Sequence, residues 1–424
     1  MYNKHILSNG LRVVTEYIPY VKSVSIGIWV ESGSRKENET NNGISHFIEH
    51  MLFKGTKTRN AREIAESIDS VGGQLNAFTT KECTCFYAKV LDNHLPIAID
   101  ILADMLFNSK FSEEDIEKEK NVVIEEINMY EDSPEDLVHD LLSQTIYDGH
   151  SLALPILGKA EVLKELTQKD IIKYFQKHYT PHNTVISIAG NFNEDKIMQL
   201  IEKYFSKWNS EKPVENTLKP PILYQRLINK RKITEQLHLC IGMEGIAQDR
   251  DELYSLLILN NVFGGSMSSR LFQKIREEKG LVYSIYSYPS SYKDTGIFTI
   301  YAGLNPNQIT NVSRLIINEI KDIKVNKLRK EEIKKAKEQL KGNFILGLES
   351  TSSRMSSIGK SELLLGKIHS PKEIINRIDS ITYDDINNII QKVFDFKKLN
   401  LAFVGNIENE ESVKKRLKNI CFQK

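Results

Sequence analysis

The segment ISHFIEHMLFKGT, residues 44 to 56, places two histidines four residues apart with a glutamate directly before the second. On an α-helix, residues four apart share a face, so His46 and His50 can each aim an imidazole nitrogen at one point. Neutral imidazole is a good zinc ligand, but two ligands do not complete a site; a third, usually a carboxylate, has to come from elsewhere. The string also has an ordinary reading. Ten histidines are spread over 424 residues, and most histidines in a globular protein are solvated or hydrogen-bonded core residues.

A second stretch, FSEEDIEKEKNVVIEEINMYEDSPEDL, is predicted to be a helix that offers the missing carboxylate. With Val123 at zero and about 100° per residue, Ile116, Ile127 and Tyr130 fall within roughly 40° and define the stripe expected to be buried. Glu119 lies at about 40° and Glu126 at about 60° on the same side, whereas Glu125 sits nearly opposite and reads as solvated. Burying an uncompensated carboxylate is costly, so such groups are paired, protonated or bound to metal. A Lys or Arg from a neighbouring element would satisfy Glu119 and Glu126 as well as a metal would. The histidine helix tilts the balance towards the metal.

The elements that must position these residues come in two sets. A chain of 424 residues exceeds the size at which a single hydrophobic core stops growing, so two or more domains are expected. The sequence repeats itself at a period of roughly 210 to 215 residues. SVSIGIWVESGS and QLHLCIGMEGIA each lead into an apolar helix ending at a glycine. CFYAKVLDNHLPIAIDILADML matches GIFTIYAGLNPNQITNVSRLIINEI as strand then helix. LTQKDIIKYFQKHY before TVISIAGNF matches ITYDDINNIIQKVF before LNLAFVGNI, with Gly190-Asn191 and Gly405-Asn406 at equivalent places.

The expectation is therefore an α+β protein of two homologous α/β sandwich-like domains made by internal duplication. Each is a mostly antiparallel sheet with helices covering one face. The polar, Pro-containing NSEKPVENTLKPPILYQ separates the domains, which are placed at residues 1–215 and 235–424 with a linker at 216–234. In the second copy the histidine helix corresponds to LYSLLILNNVFGG, whose equivalent positions are apolar or amide. The repeated helix folds without His-Glu-His, which argues for chemistry in the first copy.

Other features carry less. Lys plus Arg number 57 against 56 Asp plus Glu, which leaves no electrostatic footprint for nucleic acid or an anionic membrane. No apolar run approaches a membrane span, and MYNKHILSNGLRVV lacks the features of a secretory signal, so a cytoplasmic protein is expected. Cys83, Cys85, Cys240 and Cys421 lack redox or zinc spacing, and the first two read as small hydrophobes at a strand. KVNKLRKEEIKKAKEQLKGN carries Ile333, Ala336 and Leu340 at helical spacing and reads as a solvated helix. Gly264-Gly265 reads as a helix end.

HFIEHMLFKGT followed downstream by VVIEEINMYEDSPED resembles the pitrilysin family of inverted zincins, most nearly the bacterial relatives of the mitochondrial processing peptidase β-subunit. The resemblance covers essentially the whole chain. It implies zinc held by His46, His50 and Glu126, with Glu49 as catalytic base and Glu119 as a supporting acid. It implies that Arg276 and Tyr283, in RLFQKIREEKGLVYSIYS, complete the site from the second half. Substrate contacts are implied at Phe53 and at Asn76 and Ala77 of GGQLNAFTTKE. The activity implied is that of a zinc-dependent endopeptidase cleaving peptides or unfolded segments through a metal-activated water, working as a homodimer or with a related subunit. The acidic residues by which mitochondrial enzymes read an arginine near the cleavage site find no match. A scaffold subunit or a metal-binding regulator would share the fold; the intact His46, Glu49, His50 and Glu126 speak for the enzyme.

Overall fold

The computed structural model describes residues 2–209 and 219–422. The chain forms two compact units that interleave in sequence. One comprises Met1–Ile127, Leu154–Thr217 and Leu346–Ser370; the other comprises Asn128–Ala153, Leu218–Ile345 and Pro371–Lys424. The units thus differ from the sequential halves 1–215 and 235–424, because each half lends one segment to the other unit. Of the expected linker 216–234, residues 216–218 lie outside the described residues, and Leu227–Arg231 forms a strand.

The first unit is built on a six-stranded sheet of β1 (Tyr2–Ile6), β2 (Arg12–Tyr17), β3 (Ser23–Val30), β4 (Gln74–Thr79), β5 (Thr84–Leu91) and β6 (Thr184–Gly190). The order is β1-β2-β6-β3-β5-β4, antiparallel except for the β2/β6 pair, and β4 is an edge. The second unit has β7 (Leu227–Arg231), β8 (Leu237–Glu244), β9 (Val282–Ser291), β10 (Gly296–Leu304) and β11 (Asn400–Gly405) in the order β7-β11-β8-β10-β9, with β7/β11 the parallel pair. Taking β2, β6, β3, β5 and β4 as counterparts of β7, β11, β8, β10 and β9 makes the two orders the same, as a duplicated unit requires.

Local chemistry repeats with the topology. Helices Gln168–His178 and Tyr383–Val393 both begin with a reciprocal Thr/Asp capping box, Thr167 with Asp170 and Thr382 with Asp385. β6 and β11 both end in a glycine at positive φ, Gly190 at 140° and Gly405 at 155°. A Cβ on Gly190 would lie 2.4 Å from the Ser23 carbonyl oxygen of the neighbouring strand, so the close approach demands glycine.

Both faces of the central strands are covered, not one. On β3, Val24, Ile26, Ile28 and Val30 join the core containing Phe47 and Ile48 of the histidine helix, while Trp29 joins Cys85, Val185, Met355 and Ile358 on the other side. That second layer is helix Thr351–Leu365, supplied late in the sequence. In the second unit helix Pro134–Ile146 has the same role, packing Val138, Leu142 and Ile146 with Cys240, Tyr301 and Val404. SVSIGIWV is nearly continuously apolar because both of its faces are buried.

The exchanged helix is held at close range. A Cβ on Gly359 would lie 2.3 Å from Trp29 Nε1 and 2.6 Å from Ser187 Oγ, the two atoms that share a 2.8 Å hydrogen bond. Gly359→Ala should therefore lower stability by about 2 kcal/mol, the cost of overpacking and of a disturbed buried hydrogen bond less the roughly 1 kcal/mol gained in helix propensity. Denaturant unfolding measures this, and an unchanged midpoint would contradict the close packing.

Candidate metal centre

Helix Ile44–Leu52 forms because Ile44, Phe47, Ile48, Met51 and Leu52 recur at i, i+3, i+4, i+7 and i+8 and are all buried. Its start is unusual. The N-cap residue is Gly43 at φ 97°, which has no side chain to offer, and the cap comes from Glu37 instead. Glu37 Oε2 accepts from the Gly43 amide at 2.7 Å and from Asn42 Nδ2 at 2.9 Å, and Oε1 accepts from the Ser45 amide at 2.9 Å. A carboxylate at a helix N-terminus satisfies orphan amides and opposes the helix dipole. Burial nonetheless raises the Glu37 pKa above the usual carboxylate value, with those hydrogen bonds opposing it. Glu37 went unnoticed in the sequence, where it lies in a polar stretch with no helical periodicity.

The third candidate ligand, Glu126, comes from helix Glu113–Asp132. Ligating atoms of His46, His50 and Glu126 all lie within 4.8 Å of one another, and they form the one such group of three found among the described residues. Glu126 Oε2 is 3.8 Å from His46 Nε2 and 3.5 Å from His50 Nε2. Ligands about 2.1 Å from a tetrahedral zinc stand roughly 3.4 Å apart, so the spacing suits that ion. The donor set suits it too: two imidazoles and a carboxylate leave a fourth position open, as catalytic zinc sites do.

Glu119 fixes how His50 is presented. It is buried, and its Oε1 lies 2.8 Å from His50 Nδ1 while its Oε2 lies 2.6 Å from Lys54 Nζ. Nδ1–H donates to the Glu119 carboxylate, which fixes the ring so that Nε2 faces Glu126, the kind of second partner that metal-bound histidines usually have. Of the two glutamates expected on the buried stripe, Glu119 is buried and meets a lysine, while Glu126 is only half-buried and faces the histidines.

The electrostatics favour a cation. Burial pushes the His46 pKa down to about 4, assisted by repulsion from His50, so its imidazole is neutral. Its buried Nδ1 has no hydrogen-bond partner among the described residues. Burial also works against charge on His50, yet the carboxylates of Glu119 and Glu126 outweigh it and raise the pKa to about 9. Glu126 is held low first by its hydrogen bond to His50, against burial. Glu49 goes the other way: burial raises its pKa although Thr79 Oγ1 donates to Oε2 at 2.5 Å. A half-buried carboxylate of raised basicity thus stands beside the two histidines.

On the glutamate helix Ile116, Glu119 and Val123 are buried and Glu125 is exposed, as its angles imply. Tyr130 differs. It is 37% exposed, because full burial on this helix stops at Val123, Glu126 and Ile127 are half-buried, and the first unit's segment ends at Ile127. Asn76 and Ala77 lie on the edge strand β4, Asn76 exposed and Ala77 packed against the core. Phe53 caps the end of the histidine helix with its ring 6.4 Å from that of Phe86. Arg276 and Tyr283 belong to the second unit. Arg276 sits in a π-helical turn, Phe272–Glu277, with its guanidinium 4.7 Å from the Phe272 ring and 5.9 Å from the Tyr283 ring. Tyr283 is 75% exposed near the start of the edge strand β9. Cys83 and Cys85 are buried and free, and Ile333 and Ala336 are the buried stripe of helix Lys330–Gly347, as read from the sequence.

An inverted His-Glu-His helix and a glutamate from a second helix, on one copy of a duplicated α+β unit, define a metallopeptidase-type centre. Residues 12–160 match the family Insulinase (Peptidase family M16), and residues 165–340 match the Peptidase M16 inactive domain. The chain belongs to peptidase family M16, in keeping with the pitrilysin resemblance. It is 49% identical over 394 residues to YmxG of Bacillus subtilis, whose name calls it a zinc protease, covering 93% of this chain and 96% of that one. A zinc protease by name of Rickettsia felis is 41% identical, covering 93% of this chain and 95% of that one. A protease from Helicobacter pylori shares the fold with a TM-score of 0.89 at 23% identity, covering 96% of this chain and 99% of that one. In line with the word inactive, the second copy has Leu256, Leu259 and Asn260 where alignment of Phe53 with Phe263 puts His46, Glu49 and His50.

Proposed function

We propose that this chain is a zinc-dependent endopeptidase that hydrolyses peptides or unfolded segments with Glu49 as the general base. The observation that carries the reading is the convergence of His46, His50 and Glu126 beside a half-buried Glu49 whose pKa is raised. Zinc held there supplies a Lewis acid that polarises a carbonyl and acidifies a water to a pKa of about 7. A peptide adds as a strand to the edge of β4 along Asn76 and Ala77, with Phe53 nearby, so main-chain hydrogen bonds set its register and extended, unfolded segments are favoured. Glu49 takes a proton from the attacking water as the water oxygen bonds to the carbonyl carbon. It then gives that proton to the amide nitrogen as the C–N bond breaks. Glu119 keeps His50 oriented. Tyr283 donates to the developing oxyanion and Arg276 holds substrate carbonyls or carboxylates.

Among the described residues no helix is long and apolar enough to cross a membrane. The proposal includes work in the cytoplasm on peptide substrates, as a homodimer or with a related subunit. Mass-spectrometric mapping of products from a mixed peptide library, with and without a chelator, tests the activity. Cleavage should require one zinc per chain. Glu126→Gln should lower zinc content by removing one of three protein ligands, while the exposed Glu125→Gln should leave it unchanged. Chelator-resistant cleavage, or zinc lost from Glu125→Gln alone, would overturn the assignment.

A further inference from the structure

Glu49 has one side-chain partner among the described residues, Thr79, and that partner comes from the sheet. Thr79 is the last residue of β4 and pairs with Thr84 of β5. The Thr84 hydroxyl, 3.2 Å from that of Thr79, donates to the Ser32 carbonyl at 2.8 Å. A hydroxyl has one proton to give, so Thr84 has none for Thr79, and Thr79 gives its own to the carboxylate. The 2.5 Å Thr79–Glu49 contact is in the range of a hydroxyl bound to an ionised oxygen. Strand alternation sets the direction. Leu75 and Ala77 pack into the core that contains Phe47 and Ile48 of the histidine helix, Phe78 packs into the opposite one, and Thr79 shares the face of Leu75 and Ala77.

We propose that Thr79 is a positioning residue, which engages Oε2 of Glu49 so that Oε1 is the oxygen that exchanges the proton with water and leaving amine. The inference rests on the reading of Glu49 as the base. It also ties two parts of the reaction together. The strand proposed to hold the peptide backbone at Asn76 and Ala77 is the strand that fixes the base two residues on, so the register of a peptide along β4 and the position of Glu49 belong to one rigid element. Without the hydroxyl, the half-buried carboxylate keeps its place on the helix but loses the bond that sets its terminal torsion, and small misplacements of catalytic groups can cost about 100-fold in rate.

Thr79→Val keeps the branched shape and removes the donor, while Thr79→Ser keeps the donor and removes the methyl. The valine variant should bind zinc as the parent does in chelator competition, keep KM within about twofold, and lose about 10- to 100-fold in kcat. The serine variant should recover kcat to within about threefold. Parental kcat in Thr79→Val, an equal loss in valine and serine, or a loss of zinc affinity would each overturn the proposal, the last two by showing a packing role. The Glu49 reading fails separately. Full turnover in zinc-replete Glu49→Gln removes the base itself, whereas an inactive Glu49→Gln beside a fully active Thr79→Val removes only Thr79.

Discussion

Glu49→Gln should keep one zinc per chain and lose peptide cleavage by about two to four decades in kcat, the share general acid–base catalysis typically carries. The substitution is nearly isosteric, and a glutamine side-chain oxygen still accepts from Thr79 Oγ1, so the local packing of the histidine helix is unaffected. What disappears is the basic oxygen. Burial raises the Glu49 pKa above the ordinary carboxylate value, which moves it towards the working pH of a base; no such group remains in the amide. The zinc measurement separates this result from simple loss of the metal. His46, His50 and Glu126 are untouched, and the Glu119 hydrogen bond that orients His50 is unchanged. A zinc-replete Glu49→Gln protein with substantial turnover would sink the assignment of the base and with it the proposed reaction.

The candidate site was legible wherever a short-range period carries the information. His46 and His50 four apart, and Glu119 and Glu126 seven apart on an apolar face, are statements about one helix each, and helical geometry delivers them. The partners were not legible, because their contacts cross between elements. Thr79 reaches Glu49 from a strand thirty residues on, and Glu37 caps the histidine helix from a loop; neither spacing has a period to detect. Lys54 lies four residues past His50 on the same stretch of chain, but only the placement of Glu119 shows what it binds.

At the level of the fold, internal repetition exposed the duplication, and the shared strand order shows why: identical patterns fold to identical sheets. The division into units was harder. Linker composition near residue 215 marks where one copy ends, while packing is decided by which apolar faces need cover. Met355 and Ile358 in the second copy cover Trp29 and Cys85, and Val138 and Leu142 in the first copy cover Cys240 and Val404. An amphipathic helix does not say in its own sequence which copy of a duplicated sheet it covers.

That exchange decides how the part assigned to the second unit has to be tested. A fragment ending near residue 215 would lack helix Thr351–Leu365 and leave the face bearing Trp29, Cys85 and Val185 uncovered, so its inactivity would say nothing about catalysis. A point change in the intact chain does. Tyr283→Phe should lower turnover by two to three decades, about 3 kcal/mol, with zinc content and stability unchanged, because removing one oxyanion donor typically costs that much. Stability is a fair control here. The side chain is 75% exposed and its hydroxyl has no hydrogen-bond partner among the described residues, so removing the hydroxyl takes nothing from the folded protein. An aromatic ring left this open, with the Arg276 guanidinium 5.9 Å from its centre, contributes little burial to the second unit's core. The loss should fall mainly on kcat, since the proposed bond forms to charge that develops after the substrate is bound. Parental kcat in Tyr283→Phe would make the second copy a structural support, and the oxyanion role of Tyr283 would have to be withdrawn while the zinc ligands and Glu49 stood.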